Sequence, residues 1–404
     1  MTALRIEAGF LDDPALALVL DAIPEARIVG GAVRDALAGR AVADVALASP
    51  LAPAAVMGRL RAAGLKAVPT GIAHGTITAV ADHRGFEITT LRRDVQTDGR
   101  HAVVAFTDDW LADAARRDFT INAMSMTRDG VVFDHFGGVA DLRAGVVRFV
   151  GDAGTRIAED YLRILRFFRF QARYGAGVPD QAATAAIAAG VAGIARLSVE
   201  RVWGEMRRIL AAPDPCAAVA LMERLGVLAA VLPEGTAVGR LAALVGRGAP
   251  EDPVLRLAAL LAGDAASVAA RLRLSGPERV RLMAVRDGAA LAAGASDDDM
   301  RRALADMPAE VLIGRVWLAD GDAGLIARIA GMAVPVFPLR GRDLAAAGVP
   351  AGAVMGGLLR DVRGWWMAGG CVADAPSCRA EAVLRLAMAE DGLRLPCADA
   401  RRRL

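Results

Sequence analysis

Two adjacent glycines, Gly30 and Gly31, stand between an apolar segment and a polar one. The apolar pair Ile28-Val29 before them is typical of a strand, and the residues after them have helical character. Glycine allows backbone N–H groups to approach a phosphate closely, and the start of a helix adds partial positive charge. The turn therefore predicts a site for a triphosphate, with an ordinary tight turn as the alternative.

Two carboxylates follow in segments with strand character. Asp44 comes 13 residues after Gly31, and Glu87 lies between the apolar residues Phe86 and Ile88. Two acids on adjacent strands beside a phosphate-binding turn suit Mg²⁺-dependent phosphoryl transfer, because carboxylate oxygens can hold the metal between nucleophile and triphosphate. The alternative is that both are ordinary exposed acids on strands.

A second constellation is the segment from Arg116 to Met124, which reads RRDFTINAM. An arginine beside an aspartate, as in Arg117-Asp118, can bind a phosphate oxygen and accept a hydrogen bond from a ribose hydroxyl. Such a pair would supply charge stabilisation and a preference for ribonucleotides. An exposed ion pair ahead of a helix is the alternative.

A third constellation, EDYLRILRFFRF, begins at Glu159 within a pattern that predicts one helix over 158–174. On a helix, Asp160 and Arg163 are three residues apart and point the same way. The carboxylate would accept a hydrogen bond from the exocyclic amine of C or A, while the guanidinium would serve the ring nitrogen. U and G would present a carbonyl oxygen to the carboxylate instead. The pair predicts selection of C and A, with a solvated salt bridge as the alternative.

The elements that must position these residues divide the chain into two parts. From about Arg27 to Val150, short β-like segments alternate with helical ones, which predicts an α/β domain. The β-like segments are ARIVGG, ADVALA, GTITAVA, GFEITTLR and VVFDHF. From Asp152 onward, helical patterns follow one another and strand patterns almost vanish. We therefore expect a chain that is mostly helical after an α/β start.

The composition fits this division and excludes several functions. The chain has 404 residues, of which 55% are hydrophobic but only 4% aromatic, a mix that favours stacked helices. It has no run of 18 uncharged apolar residues, so we expect no membrane span. All four histidines lie at or before His135, which excludes a histidine-based metal site in the C-terminal two thirds. The first residues lack the features of a secretory or transit signal, so we expect a cytoplasmic protein.

In their order along the chain, GGAVRDALAGR with Asp44, RRDFTINAM and EDYLRILRFFRF resemble the class II tRNA nucleotidyltransferase and poly(A) polymerase family. The resemblance is greatest to the bacterial CCA-adding enzymes. Weaker similarity covers most of the chain, through LRRDVQTDGRHAVVAF, LSVERVWGEMRRIL, LRLSGPERVRL and FPLRGRDLAAAGVP. The resemblance implies an α+β protein with a nucleotidyltransferase head of the DNA-polymerase-beta type over 1–150. An all-helical neck (151–215), body (216–333) and tRNA-binding tail (334–404) would follow.

The same resemblance implies an activity and a set of site residues. The activity would be template-independent addition of CCA to the tRNA 3′ end from CTP and ATP with Mg²⁺. The partner would be the acceptor arm and 3′ end of tRNA, with neither a membrane nor a protein partner implied. Asp44 and Glu87 would be the catalytic metal ligands, and the segment from Arg93 to Thr107 would be a mobile loop that helps to switch from CTP to ATP. The nucleotide-binding residues would be Gly30, Gly31, Arg34, Arg117, Asp118, Asn122, Asp160, Arg163 and Arg166.

The metal motif departs from the family pattern. The family has Asp-x-Asp, whereas this chain reads Asp44-Val45-Ala46. Loss of the second carboxylate, which normally holds both metals, would weaken catalysis by on the order of several kcal/mol unless another acid such as Asp35 replaces it. An engineered inactivation and a degenerate natural copy are further explanations. The functional alternatives are an A-adding, CC-adding or poly(A) polymerase relative, and a catalytically silent protein that binds tRNA and nucleotide.

Arginine dominates the basic residues of the chain. Lys66 is the only lysine among 48 basic residues, and a codon bias is an alternative explanation for the overall count. The formal net charge is only +2, so basic residues cannot coat the whole surface. We therefore expect the tRNA-binding arginines to form one stripe. The candidates are Arg166, Arg169, Arg173, Arg207 and Arg208, with Arg271, Arg273, Arg279 and Arg281 in the predicted body.

Overall fold

The computed structural model of the chain describes residues 4–97, 102–319 and 321–390. The chain folds into two units. The first comprises residues 1–242, 251–253 and 260–274, and the second comprises 243–250, 254–259 and 275–404. Every candidate metal-binding and nucleotide-binding residue lies in the first unit. The finer division into head, neck, body and tail stays a prediction.

A mixed sheet forms the N-terminal part of the first unit. The described strands are β1 (Leu4–Arg5), β2 (Arg27–Val29), β3 (Ala46–Ser49), β4 (Lys66–Gly71), β5 (Thr76–Ala81), β6 (Arg84–Thr90), β7 (Arg92–Thr97), β8 (Ala102–Phe106), β9 (Ser125–Met126) and β10 (Val131–Phe133). Eight of them form one sheet in the order β1-β10-β9-β2-β3-β6-β5-β4. Strands β3 and β6 are parallel, and the other described neighbours are antiparallel.

Helices account for most of the remaining described chain. Those before residue 275 are α1 (Pro14–Ala22), α2 (Gly31–Leu37), α3 (Pro53–Ala62), α4 (Trp110–Ala115), α5 (Gly138–Ala144), α6 (Ala153–Glu159), α7 (Leu162–Tyr174), α8 (Gln181–Gly190), α9 (Val199–Leu210), α10 (Cys216–Arg224), α11 (Val227–Val231), α12 (Val238–Gly246), α13 (Pro253–Leu260) and α14 (Ala265–Arg271). Those after it are α15 (Gly276–Arg286), α16 (Asp297–Asp306), α17 (Ala309–Leu318), α18 (Ala323–Gly331), α19 (Gly341–Ala346), α20 (Ala353–Ala368) and α21 (Ala375–Glu390). This order confirms the expected α+β class.

The two faces of the sheet have different partners, because successive side chains of a strand point to opposite faces. On β2 and β3, Ile28 and Leu47 enter the main core, which also contains the buried residues of α1 and α3. Their neighbours Val29 and Ala48 belong to a separate small cluster with Leu91. The alternation therefore leaves one face of the central strands available to a site.

An aromatic cluster joins the RRDFTINAM segment to α7. Phe119 lies 4.8 Å from Phe149 and 5.2 Å from Phe170, measured between ring centroids. Phe167 stacks on Phe149 at 6.2 Å, and both rings are buried. Because such large buried rings pack closely, the cluster fixes Asp118, the neighbour of Phe119, beside α7.

The predicted single helix over 158–174 is wrong. Helix α6 ends at Glu159 and α7 begins at Leu162, with Asp160 between them in an extended conformation (φ −157°). The Asp160 carboxylate accepts a hydrogen bond from the Leu162 N–H at 3.0 Å, and its carbonyl accepts one from the Arg163 N–H at 3.0 Å. An aspartate side chain that bonds a backbone N–H two residues further on forms a local turn, which competes with continuation of a helix. Asp160 and Arg163 are therefore not neighbours on one helix face.

The segment from Arg93 to Thr107 is more ordered than a simple loop. Strands β7 and β8 form a two-stranded antiparallel hairpin, in which Arg92 pairs with Phe106. Residues 98–101 of the predicted loop lie outside the described residues.

The regular elements of the second unit, over the residues that the structure describes, are helices joined by loops. One buried cluster contains Met300 and Leu304 of α16 with Leu312 and Val316 of α17. A second cluster surrounds Trp366 of α20. Among the described residues, no helix combines the length and apolar character needed to cross a bilayer.

Candidate active site

A cavity of about 560 Å³ lies between the exposed face of the sheet, the RRDFTINAM segment and α7. All nine predicted nucleotide-binding residues line it. They are Gly30, Gly31, Arg34, Arg117, Asp118, Asn122, Asp160, Arg163 and Arg166. Three motifs spread over residues 30–166 of the chain thus meet at one place, which is the arrangement that the sequence predicts for a nucleotide site.

The glycine turn depends on the conformation of Gly30. This residue precedes α2 with φ +65°, in the region that disfavours side chains. A Cβ atom at this position would also lie 3.3 Å from Nη1 of Arg117. Glycine therefore allows both the turn and the close approach of an arginine to the backbone.

A chain of buried polar contacts links the three motifs. Arg34 Nη1 donates to Asn122 Oδ1 at 2.6 Å, and Asn122 Nδ2 donates to Asp118 Oδ1 at 3.0 Å. Asp118 Oδ2 accepts from Nε of Arg166 on α7 at 2.7 Å. The aromatic rings of Phe170 and Tyr174 lie under the Arg34 guanidinium at 5.1 and 4.5 Å from the ring centroids. Each side chain is thus held by at least one neighbour before any ligand binds.

The charge of Asp118 is stabilised although the residue is only 8% exposed. Burial by itself would raise the pKa of this carboxyl group. The charge of Arg166, together with hydrogen bonds from Asn122, Arg166 and the Phe119 N–H, outweighs burial and holds the pKa below its usual range. Asp118 is therefore an ionised acceptor, suited to a ribose hydroxyl as predicted.

The two arginines of RRDFTINAM share one acid. Asp113 of α4 accepts from Arg116 Nη2 at 2.8 Å and from Arg117 Nη2 at 3.0 Å. Burial would raise the pKa of Asp113, but the charges of Arg117 and Arg116 lower it below the usual value. All three side chains line the cavity.

The base-reading candidates occupy another part of the cavity wall. Asp160 Oδ2 accepts from Nη2 of Arg201 on α9 at 2.7 Å. Arg163 uses Nη1 to donate to the Arg156 carbonyl at 2.9 Å and to Glu159 at 2.5 Å. Asp160 and Arg163 are therefore oriented by different neighbours rather than by each other, yet both line the same cavity.

The cavity is rich in positive charge. Eight arginines line it against three aspartates, Asp113, Asp118 and Asp160. The arginines are Arg34, Arg92, Arg116, Arg117, Arg163, Arg166, Arg169 and Arg201. Since guanidinium groups match phosphate oxygens in geometry and charge, the cavity suits a polyanion such as a triphosphate.

The candidate metal ligands are not part of this lining. Asp44 precedes β3 and is exposed, and Glu87 is an exposed residue of β6. Ala46, the first residue of β3, lines the cavity but carries no oxygen in its side chain. Within the described residues, no three His, Cys, Asp or Glu side chains are grouped so as to hold a metal ion. Without a side-chain oxygen at Ala46, Asp44 and Glu87 are the two predicted ligands left for Mg²⁺, an ion that proteins commonly hold with one or two carboxylates and substrate phosphates.

Asp35 does not compensate for Ala46. Its Oδ1 atom accepts from Arg34 Nη2 at 3.0 Å and from the Tyr174 hydroxyl, so the carboxylate is already bound. It is absent from the residues that line the cavity. The three acids of the lining are each paired with arginine as well.

The predicted RNA-binding arginines have different surroundings. Arg169 lines the cavity and donates to Glu205 of α9 at 3.0 Å, and burial together with the charge of Arg166 lowers the pKa of Arg169 to about 10. Arg173, Arg207 and Arg208 are exposed. Arg169 is thus placed to face a nucleotide, whereas the other three face solvent in the structure.

Sequence reasoning missed Arg92, Asp113 and Arg201 as parts of the site. Asp113 carried a local signal, because it precedes Arg116 and Arg117 by one helical turn. Arg201 carried none, since it lies 41 residues from Asp160 and only the packing of α9 against α7 brings them together.

Comparison with known proteins defines the class. Residues 26–148 match the model of the poly A polymerase head domain, and residues 179–238 match that of a probable RNA and SrmB-binding site of polymerase A. The fold is similar to that of the Bacillus stearothermophilus CCA-adding enzyme in complex with CTP. The TM-score is 0.72 at 24% identity, over 94% of this chain and 100% of that one. The fold is therefore that of a nucleotidyltransferase head followed by helices.

Two relatives by sequence narrow this class. The chain is 37% identical to the mitochondrial CCA tRNA nucleotidyltransferase 1 of Mus musculus, over 86% of this chain and 83% of the mouse protein. It is 38% identical to the CCA-adding enzyme of Leuconostoc mesenteroides over 52% of each chain. The chain belongs to the CCA tRNA nucleotidyltransferase family, which confirms the expectation from the three motifs.

The ion pair between Asp118 and Arg166 generates a prediction about acid stability. Asp118→Asn should lower the free energy of unfolding at pH 7 by about 3–5 kcal/mol, because it leaves a partly buried guanidinium without its counter-charge. The folded-state pKa of Asp118 is depressed, so its contribution is complete above the unfolded value of about 3.9 and is lost as the pH falls through the folded-state pKa. The difference between the two proteins should therefore shrink only below about pH 4.

Denaturant unfolding across the acid range measures this difference. Asp306→Asn is the control, because its ion pair with Arg363 is about half exposed and is expected to contribute under about 1 kcal/mol. A difference between parent and Asp118→Asn that stays constant through the acid range would contradict the prediction.

Proposed function

We propose that this chain binds CTP and ATP in the arginine-lined cavity and that the reaction of the site is addition of C, C and A to the 3′ end of tRNA. The observation that carries the proposal is the convergence of the three motifs on one cavity with eight arginines. Support comes from the CCA-adding relatives and from the similar fold of the Thermotoga maritima CCA-adding enzyme complexed with tRNA.

The proposed reaction transfers a nucleotidyl group. The oxygen of the tRNA 3′ hydroxyl bonds to the α-phosphorus of the nucleotide, the bond from that phosphorus to the bridging oxygen breaks, pyrophosphate leaves, and the hydroxyl proton passes to water. Gly30, Gly31, Arg34 and Arg117 would contact the triphosphate. The two arginines would place fixed positive charge where the leaving group gains negative charge, and the glycine turn would add backbone N–H groups.

Asp118 would accept a hydrogen bond from the ribose, with Asn122 and Arg166 holding it in place. This assignment rests on the direct contacts of both residues with its carboxylate. An acceptor at the ribose hydroxyl favours ribonucleotides over deoxyribonucleotides, because the 2′ hydroxyl is a donor that deoxyribose lacks.

Asp160 and Arg163 would read the base. One Asp160 oxygen accepts from the Leu162 N–H and the other from Arg201, and a carboxylate has further lone pairs for the exocyclic amine of C or A. The described bonds of Arg163 both use Nη1, so its other N–H groups can donate to the ring nitrogen. Because neighbours fix both side chains, the pair can discriminate against U and G by unmatched hydrogen bonds.

Asp44 and Glu87 would hold Mg²⁺ together with the phosphates of the nucleotide, with one carboxylate fewer than the family's Asp-x-Asp motif supplies, because Ala46 carries no side-chain oxygen. The metal would supply charge stabilisation at the reacting phosphate. The chain as written is therefore expected to bind nucleotide well and to transfer it slowly.

A second candidate function follows from Ala46. A protein that binds tRNA and nucleotide but does not join them would retain the arginine cavity and lose the carboxylate, as this chain does.

Arg173, Arg207 and Arg208 are the proposed contacts to tRNA phosphates, because they are exposed and lie on helices that adjoin the cavity. A cytoplasmic location stays a prediction.

Ala46→Asp should raise nucleotide addition by at least about tenfold, which corresponds to about 1.4 kcal/mol of barrier. The affinity for CTP should stay within about twofold, since the arginines that bind the phosphates are unchanged. Addition of labelled CTP and ATP to tRNA that lacks its 3′ CCA measures the rate, and Ala46→Asn controls for side-chain size without charge. Equal rates for parent and Ala46→Asp would overturn the explanation.

Asp160→Ala should relax selection against UTP. The ratio of CTP to UTP affinity should fall by about tenfold, because a polar pocket loses discrimination once its matching group is removed. Equilibrium binding measures this ratio without requiring turnover. The control is Asp152→Ala, which removes an acid that caps α6 and does not line the cavity. An unchanged ratio would exclude the assigned role.

The affinity for tRNA should fall steeply between about 50 and 200 mM salt, because several phosphates are neutralised on binding. The triple variant Arg173→Ala, Arg207→Ala and Arg208→Ala should reduce the slope of log affinity against log salt by about two to three. A matched control removes Arg59, Arg84 and Arg128, which form ion pairs with Glu25, Asp13 and Asp21. If the control variant lowers the salt slope as much as the triple variant does, Arg173, Arg207 and Arg208 are not specific contacts to tRNA phosphates.

A further inference from the structure

Helix α4 carries a buried acid on the wall of the cavity. Asp113 is 3% exposed and lies one turn before the two arginines of RRDFTINAM. A carboxylate beside a proposed triphosphate site disfavours anion binding, because like charges repel. The contacts of Asp113 indicate a structural role that offsets this repulsion.

The carboxylate of Asp113 divides its two oxygens between different partners. Oδ1 accepts from Arg116 Nε at 3.0 Å and Nη2 at 2.8 Å, and Oδ2 accepts from Arg117 Nη2 at 3.0 Å. Oδ1 also accepts from the backbone N–H of Arg92 at 3.3 Å. A single buried group thus fixes the two guanidinium groups and the first residue of β7.

The orientation of Arg117 follows from this contact. Its Nη2 atom is bound to Asp113, and its Nη1 atom lies 3.3 Å from the position that a Gly30 Cβ would occupy. Since the guanidinium is planar, fixing Nη2 on the acid sets the direction in which Nη1 points. It points to the glycine turn, where the triphosphate is proposed to bind.

We propose that Asp113 is a positioning residue that aims Arg116 and Arg117 at the phosphates of the nucleotide. This inference rests on the proposed function, because it requires a triphosphate in the cavity. Asp113 does not contact the ligand in this arrangement and contributes no affinity for the base or the ribose. Its repulsion of the phosphates is offset, since each of its oxygens is already bound by a guanidinium.

The bond to the Arg92 N–H extends the role to the hairpin of β7 and β8. Arg116 Nε also donates to the Arg92 carbonyl at 3.0 Å, so both backbone groups of Arg92 are held by this cluster. The start of β7 and the arginines of RRDFTINAM are therefore held in a fixed position relative to each other. Loss of the acid should loosen the two together.

The test compares ligands that differ only in their phosphates. Equilibrium binding of CTP, CMP and cytidine is measured for the parent, Asp113→Asn, Arg117→Gln and the double variant. We expect Asp113→Asn to weaken CTP binding by about tenfold, CMP binding by less, and cytidine binding by under about twofold, because charge-assisted bonds to phosphate depend on the aim of the arginines. In the Arg117→Gln background, Asp113→Asn should weaken CTP binding by under about threefold, since its main route of action is gone.

Asp109→Asn is the matched control, because Asp109 caps the same helix from the surface and Asn caps equally well. It should leave the binding of all three ligands unchanged. Asp113→Glu, which keeps the charge, should restore CTP affinity to within about threefold of the parent, and it provides a second variant if Asp113→Asn does not fold.

Three results would overturn the inference. They are an unchanged affinity of Asp113→Asn for CTP, an equal loss for CTP and cytidine, and independent effects of Asp113→Asn and Arg117→Gln. Failure of the parent itself to bind CTP would instead refute the proposed function and remove the basis of this inference. The parent measurement therefore separates the two failures.

Discussion

The site depends on one buried ion pair, between Asp118 and Arg166. Asp118 belongs to the segment that follows α4, and Arg166 belongs to α7, which lies 48 residues further along the chain. Through Asn122 the pair reaches Arg34 of α2, beside the glycine turn. A buried carboxylate of this kind is costly unless it is fully bonded, so the segments that supply its partners must assemble together. The ion pair couples folding of this region to construction of the cavity.

The aromatic cluster around Phe119 and Phe167 gives this polar network its environment. These rings and Asp118 are all buried, and a low local dielectric strengthens the attraction of the carboxylate to Arg166. The apolar contacts and the polar contacts therefore both fix α7 against the RRDFTINAM segment. A nucleotide would meet side chains that are already ordered, which reduces the entropy that binding must overcome.

Local patterns predicted the fold class, the glycine turn and the Arg117-Asp118 pair, because such signals act over short distances, and the family resemblance added Arg34, Asn122 and Arg166 to the predicted site. Two failures have identifiable causes. The helical pattern over 158–174 is continuous in apolar spacing, but Asp160 is extended and its side chain bonds the Leu162 N–H in a turn that separates α6 from α7. Strand β4 was missed because it contains Pro69, which an edge strand tolerates, and β4 is the last strand of the sheet. Arg201 could not be found by any local rule, since its contact with Asp160 is purely tertiary.

The lining of the cavity has a consequence for how the protein responds to its surroundings. Over the described residues, its ionisable side chains are arginines and aspartates, without histidine, lysine or cysteine. Histidine is the side chain whose ordinary pKa falls between pH 5 and 8, and aspartate and arginine titrate well outside that interval. The electric field inside the cavity is therefore nearly constant across physiological pH. Changes of cellular acidity would reach this site through the ionisation of the bound phosphates, and the protein itself would act as a fixed electrostatic template.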